Sequence, residues 1–357
     1  MTVQTLTTLP GVLTEEEWSA KWGIQLTEKP QVFARLPRAG YNELPGINQS
    51  LIKPERTLAH TAEKLHGEEE TKKEHFLHGN ICHCDALEPD RFDDYYVVIP
   101  SDAPDRPTES QLKPPKPKKD GTISTGTAGF ERYQDALSAK SWWESFDKQH
   151  AGKELISQKD FDCGIALAHA LKNHPVLGGY LSADQRDGNE ITLSYIDSQT
   201  GMRLKARLDM LRVLGSSQLW LGDVKTTHDA APGPDHFGKS AVNCGYFFQA
   251  AFYVDAVFNC KRALEQLFNL PEGLLIGLPI VYEWIAIEKV KRPHYKFISR
   301  QECPDELLEL GRQEYRKALN EFTASMLTGY FPGYSTEAVT MRIPAWGYRK
   351  IIDGLES

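Results

Sequence analysis

Between residues 190 and 226 three strand-like segments follow one another over connections too short for anything but pairing as neighbours. Glu190–Ile196, Arg203–Leu214 and Gln218–Thr226 are rich in aliphatic and β-branched residues, and the turn sequence Asp197-Ser-Gln-Thr-Gly201 joins the first two. Helical periodicity flanks this meander. Gln49–Leu65, Glu74–Leu87, Gly129–His150 and Asp160–Leu171 precede it, the second ending before Pro89, whose predecessor is pushed out of helical backbone. A helix of about 17 residues from Ala241, a strand over Leu278–Ile287 and a long amphipathic helix follow. In that last helix Leu308, Tyr315, Leu319, Phe322 and Met326 fall on one stripe, and Gly329 stands where a C-terminal cap belongs. Helices, three strands, a helix and a strand predict an α/β fold, a mixed β-sheet flanked by helices.

Residues 1–45 carry Pro30, Pro37 and Pro45 among short helical signals and read as an N-terminal arm of unknown role, leaving 46–357 as the main domain. Within that domain, about 100–129 holds six prolines and several lysines and reads as a surface loop. No internal repeat is evident.

Composition narrows the function classes. Hydrophobic residues at 40% and charged residues at 25% are those of a soluble globular chain. No run approaches the roughly 18 apolar residues of a membrane span, so no membrane partner and a cytoplasmic location are expected. The six cysteines lack paired C-x-x-C spacing, and Cys82-His83-Cys84 is too tight to converge on one tetrahedral ion. A net charge of −8 excludes coating of nucleic acid by bulk electrostatics, but not a local basic groove. Arg203, Lys205 and Arg207 alternate along one strand and form the best-placed basic group.

The chemistry concentrates at Gly222-Asp223-Val224-Lys225-Thr226-Thr227, with Asp209 fourteen residues upstream of Asp223. Residues i and i+2 of a strand share a face, so Asp223 and Lys225 project together. Two carboxylates suit a hard divalent cation, Mg²⁺ or Mn²⁺, and a lysine beside them can steer an attacking water and neutralise a phosphate. Phosphodiester hydrolysis is the reaction this set fits. Gln249 and Tyr253, spaced i and i+4, share one helix face and could hold DNA phosphate or help position Lys225. Burial of an unpaired lysine for packing alone would be costly, which favours a working role for Lys225. Trp142, Trp143 and Tyr133 read as core-filling aromatics rather than base-stacking ones.

These residues resemble the active-site series of the PD-(D/E)XK nuclease superfamily, and within it the exonuclease VIII (RecE-type) branch with related phage exonucleases. Gly79-Asn-Ile-Cys-His83-Cys-Asp-Ala-Leu87-Glu-Pro89, Arg207-Leu-Asp209, Gly222-Asp223-Val-Lys225-Thr-Thr and the ending Gly329-Tyr-Phe-Pro-Gly333-Tyr with Ile343-Pro-Ala-Trp346 are similar to that branch's segments. The resemblance covers roughly 45 to 350 and implies a PD-(D/E)XK restriction-endonuclease-like core. It implies His83, Asp209, Asp223 and the carbonyl of Val224 as metal ligands, the histidine favouring Mn²⁺. Lys225, Asp209 and Asp223 are then catalytic. Gln249, Tyr253, Arg207 and Lys205 are DNA contacts, and Glu190 matches an acid near the family's site or is a solvated strand-edge residue. The implied activity is 5′ to 3′ exonuclease digestion of one strand at double-stranded DNA ends, leaving 3′ tails for recombination with a RecT-type single-strand annealing protein. A homo-oligomeric ring around DNA is also implied, and would let an acidic chain line only its channel with positive potential. Other readings stay open: a nuclease of the superfamily acting on single strands or other DNA structures, or a DNA-end-binding scaffold without catalysis.

Overall fold

A computed structural model describes residues 13–54, 57–66, 74–117, 123 and 125–355. Among these the strands are β1 (Gln31–Phe33), β2 (Tyr96–Val98), β3 (Glu154–Ile156), β4 (Asn189–Ile196), β5 (Arg203–Leu214), β6 (Gln218–Thr227), β7 (Ile280–Glu288) and β8 (Ile298–Glu302). Six form one sheet in the order β1-β4-β5-β6-β7-β8, and β2 and β3 make a separate parallel pair. The short connections force β4, β5 and β6 into antiparallel sequence. β6 and β7 instead run parallel, from Leu219 opposite Ile280 to Thr227 opposite Glu288, because the helix Tyr246–Leu267 carries the chain back between them. The sheet is therefore mixed, as its sequence order predicts.

Helices cover both faces. On one, Ala250, Val257 and Leu264 of the helix Tyr246–Leu267 and Leu308, Leu319 and Phe322 of the helix Asp305–Thr328 pack on Leu193, Leu204, Leu221 and Trp284. On the other, Cys82 and Ala86 of the helix Glu74–Leu87 and Leu167 and Leu171 of the helix Gln158–Lys172 pack on Met210, Trp220, Val224 and Ile285. Gly329 does cap the helix Asp305–Thr328 in left-handed conformation, φ 68°.

The strand alternation breaks at one place, and it matters for the site. Leu204, Ala206 and Leu208 of β5 lie in the first core, but Met210, which alternation would put beside them, lies in the second. The β4–β5 register runs from Ile196–Arg203 to Ile191–Leu208, skips Glu190 and Asp209, and resumes at Asn189–Met210. Glu190 itself has φ 48°, a left-handed backbone that non-glycine residues seldom adopt. The distortion re-aims Glu190 and Asp209 away from the regular alternation.

The residues before 46, described from 13 onward, are bound into the sheet. β1 pairs with β4, and Trp18, Leu26, Leu36 and Leu44 form a small core of their own, with the Trp18 indole N–H donating to the Gly40 carbonyl at 2.9 Å. Three β5 cations hold this segment in place. Arg203 pairs with Glu15 at 2.8 Å, Lys205 donates to the carbonyls of Tyr41, Asn42 and Leu44 at 2.7–3.0 Å, and Arg207 donates to the carbonyl of Leu36.

Other boundaries differ from expectation for local reasons. The helix expected over 49–65 is two, Gln49–Ile52 and Leu58–His66, with Pro54 in the break. The helix expected from Ala241 starts as Phe237–Asn243 and restarts at Tyr246, after Gly245 turns the chain at φ 60°. β1, β2, β3 and β8 span only three to five residues each, too few to show a period. The proline-rich stretch does run as a loop where described, and the buried Trp143 indole fastens it by donating to the Pro104 carbonyl at 2.8 Å. No helix among the described residues is long and apolar enough to cross a membrane.

Candidate metal centre

The helix Glu74–Leu87 lies against β6 closely enough to bring His83 to the sheet. Gly79, one turn before His83, permits the approach, since a Cβ there would sit 2.8 Å from Thr226 Oγ1. His83 Nε2 then donates to the Val224 carbonyl at 3.0 Å, and its Nδ1 stands 3.5 Å from Asp209 Oδ2. The β5–β6 ladder stops at Met210–Gly222, one step short of the two aspartates. That opening leaves the Val224 N–H without a strand partner, and Asp209 Oδ2 accepts it at 2.7 Å.

Glu190 completes the first cluster. Ligand atoms of His83, Glu190 and Asp209 all lie within 4.8 Å of one another. Beside them Asp223 is buried, with Lys225 Nζ 2.6 Å from its Oδ2 and Gln249 Nε2 donating to its Oδ1 at 3.4 Å. The ammonium is close but not aligned, so Asp223 Oδ2 is buried without a hydrogen bond. Burial above all, then the negative charges of Asp223 and Glu190, pushes Asp209 up to about 7, with His83 and Lys225 pulling the other way. An orphaned buried oxygen, a second carboxylate that resists ionisation for lack of positive charge, and an imidazole facing the same space fit a divalent cation.

The expected residues fall into two sets. His83, Glu190, Asp209, Asp223, Val224, Lys225 and Gln249 meet at this point. Lys205, Arg207 and Tyr253 do not reach a surface where DNA could lie. Lys205 is 5% exposed, its ammonium spent on three carbonyls, and burial pushes it down to about 7. Arg207 binds Glu88 Oε2 at 2.9 Å and Glu190 as well, so this cation holds carboxylates, not phosphate. Tyr253 belongs to the core and is bonded to Gln249, which places it behind the glutamine that contacts Asp223. Expecting the alternating cations of β5 to face solvent failed because the segment before residue 46 covers that strand.

Two residues at the site were not anticipated. Glu88 is buried against Arg207, although an acid directly before Pro89 at a helix end was a visible signal. Tyr246 lies with its ring centroid 5.0 Å from Lys225 Nζ, a cation–π contact. Its place three residues before Gln249 puts it on the same helix face.

Comparison with known proteins agrees with this arrangement at the level of the domain. A profile described as a PDDEXK-like domain of unknown function (DUF3799) matches residues 49–344. No curated protein matches the sequence. Among solved structures, a "Putative exonuclease" from Eubacterium rectale is similar over 88% of this chain and 98% of its own, at 13% identity and a TM-score of 0.41, a likeness too loose to place any residue.

Proposed function

We propose, from the premise that this chain belongs to the PDDEXK-like family and carries a nuclease domain of that type, that it is a metal-dependent exodeoxyribonuclease of double-stranded DNA ends. The observation that supports this reading is the meeting of His83, Glu190, Asp209 and Asp223 with Lys225 at one point of the sheet. Asp209, Asp223, His83 and the Val224 carbonyl would hold Mg²⁺ or Mn²⁺, with Glu190 at the edge of the set. Bound there, the ion supplies positive charge against the phosphate as it is attacked. Lys225 orients the water and offers hydrogen bonds to the phosphate oxygens as their charge grows. Gln249 fixes Asp223, and Tyr253 fixes Gln249.

The resemblance to the exonuclease VIII branch supports the finer reading: 5′ to 3′ digestion leaving 3′ tails, transfer of those tails to a RecT-type annealing protein, a homo-oligomeric ring and a cytoplasmic setting. Linear duplex DNA labelled at either the 5′ or the 3′ end, incubated with Mn²⁺, Mg²⁺ or EDTA, tests it. Metal-dependent release of 5′-labelled nucleotides from ends is expected. Cutting of closed circles or single strands alone would replace the substrate class, and no digestion of any DNA would leave an end-binding scaffold.

Asp209 gives the metal reading a signature independent of DNA. Its carboxyl, at about 7 in the folded protein, keeps a proton that the unfolded chain loses above roughly 4. Stability from that difference is full at low pH and is lost as pH rises toward 7. A cation must displace the proton below that point. Binding of Mn²⁺ at pH 6 is expected to release about one proton from Asp209, read as a buffer-dependent heat in titration calorimetry that disappears near pH 8. Equal heats in all buffers at pH 6 would contradict the assignment.

A further inference from the structure

The last helix, Ala345–Leu355, carries a stripe with nothing on it. Tyr348, Ile351, Ile352 and Leu355 recur at i, i+3, i+4 and i+7, yet they are 56, 57, 52 and 81% exposed, and no residue of the helix is buried. Arg349 and Lys350 lie beside the stripe. A helix of 11 residues that includes Gly347 and Gly354 does not persist in water on intrinsic propensity. Its apolar face needs a surface.

The same chain carries a surface of complementary kind. The helix Tyr246–Leu267, the approach to β7 and the first turns of the helix Asp305–Thr328 enclose a groove of about 600 Å³. Phe258 and Ile276 line it at 63 and 50% exposure, with Leu278 and Leu308 behind them. Its cations are engaged elsewhere, Lys261 on the carbonyls of Ile276 and Leu278 and Arg312 on Asp255. Asp305, Glu306 and Glu309 leave its rim acidic, matched to Arg349 and Lys350.

We propose that the terminal helix of one copy docks its Tyr348-to-Leu355 stripe into this groove on a second copy of the chain. The groove lies at the start of the helix Asp305–Thr328, whereas the chain leaves from its far end, 24 residues or roughly 36 Å away. There Ala59 N–H donates to the Pro332 carbonyl at 3.1 Å and pins the departing segment to the body. Stripe and groove are different surfaces, so the contact is head to tail and repeats into a ring or a chain of copies. It rests on the exposed stripe and the groove, and stands whether or not the metal centre cuts DNA.

Sedimentation of the full-length protein across micromolar concentrations tests this with two double variants, Ile351→Glu/Ile352→Glu on the helix and Phe258→Glu/Ile276→Glu in the groove. All four side chains are exposed, so circular dichroism and thermal melting should match the parent. The parent is expected to assemble, each variant alone to be monomeric, and an equimolar mixture to form one-to-one pairs joined by the single intact helix and the single intact groove. A parent that stays monomeric would show that the stripe is covered within its own chain or by another protein, and overturns the proposal. Variants that assemble like the parent, or a mixture that does not pair, overturn it equally.

Discussion

Replacing Lys225 with alanine is expected to slow DNA digestion by about a thousandfold or more while the bound ion is kept. The two effects separate because of what the ammonium touches. It lies 2.6 Å from Asp223 Oδ2 and 5.0 Å from the centre of the Tyr246 ring, and its charge pulls Asp209 downward from beside the metal ligands. A cation in that place repels a divalent ion rather than holding it, so its removal should leave Mn²⁺ affinity unchanged or raised. What disappears is the donor that meets the water and the phosphate. Metal-free protein should also lose stability, since Asp223 is left buried with only the long Gln249 contact, and Mn²⁺ should restore it. Single-turnover digestion of labelled duplex and calorimetry of Mn²⁺ on the same variant give both readings. Activity within tenfold of the parent, or activity lost together with ion binding, would remove Lys225 from the catalytic role.

Much of this site is legible in the sequence, for a definable reason. The order of strands and helices follows from connection lengths, and a strand carrying Asp223-Val224-Lys225 has to present its acid and lysine together because strand geometry has a period of two. Gln249 and Tyr253 on one helix face follow from the period of 3.6 in the same way. The reading weakens where geometry departs from a period. Along β5 it carried Arg203, Lys205, Arg207 and Asp209 onto one open face, but the kink at Glu190 and Asp209 separates the acid from the cations. Nothing local in the residues announces that kink. The cations were misread for a second reason: a strand of three residues, Gln31–Phe33, and a few carbonyls after it cover them. Coverage by a distant segment is a tertiary fact with no periodic signal. Glu88 and Tyr246 were in reach, one beside Pro89 and one a turn before Gln249, and required asking what their neighbours would need.

Arg207→Ala is expected to destabilise the protein by about 3–5 kcal/mol, the range for removing one partner of a buried ion cluster. The guanidinium, 10% exposed, bonds Glu88, Glu190 and the carbonyl of Leu36. Burial already raises Glu88, and the charge of Glu190 raises it further, with Arg207 the main opposing influence. Without the arginine two carboxylates face each other in a space closed to water, and the segment before residue 46 loses one of its ties. The deficit should grow with pH, because carboxyls whose folded-state pKa is raised keep their contribution in acid and lose it as pH rises through that pKa. Urea unfolding at pH 5 and pH 8 measures both size and sign, and adding Glu190→Gln to Arg207→Ala should recover part of the loss at pH 8. This measurement also decides between the two roles open to an arginine on this strand. An arginine that gripped DNA would weaken binding and leave the urea midpoint where it was, whereas one that aims Glu190 at the metal centre must lower the midpoint first and impair digestion through the displaced acid.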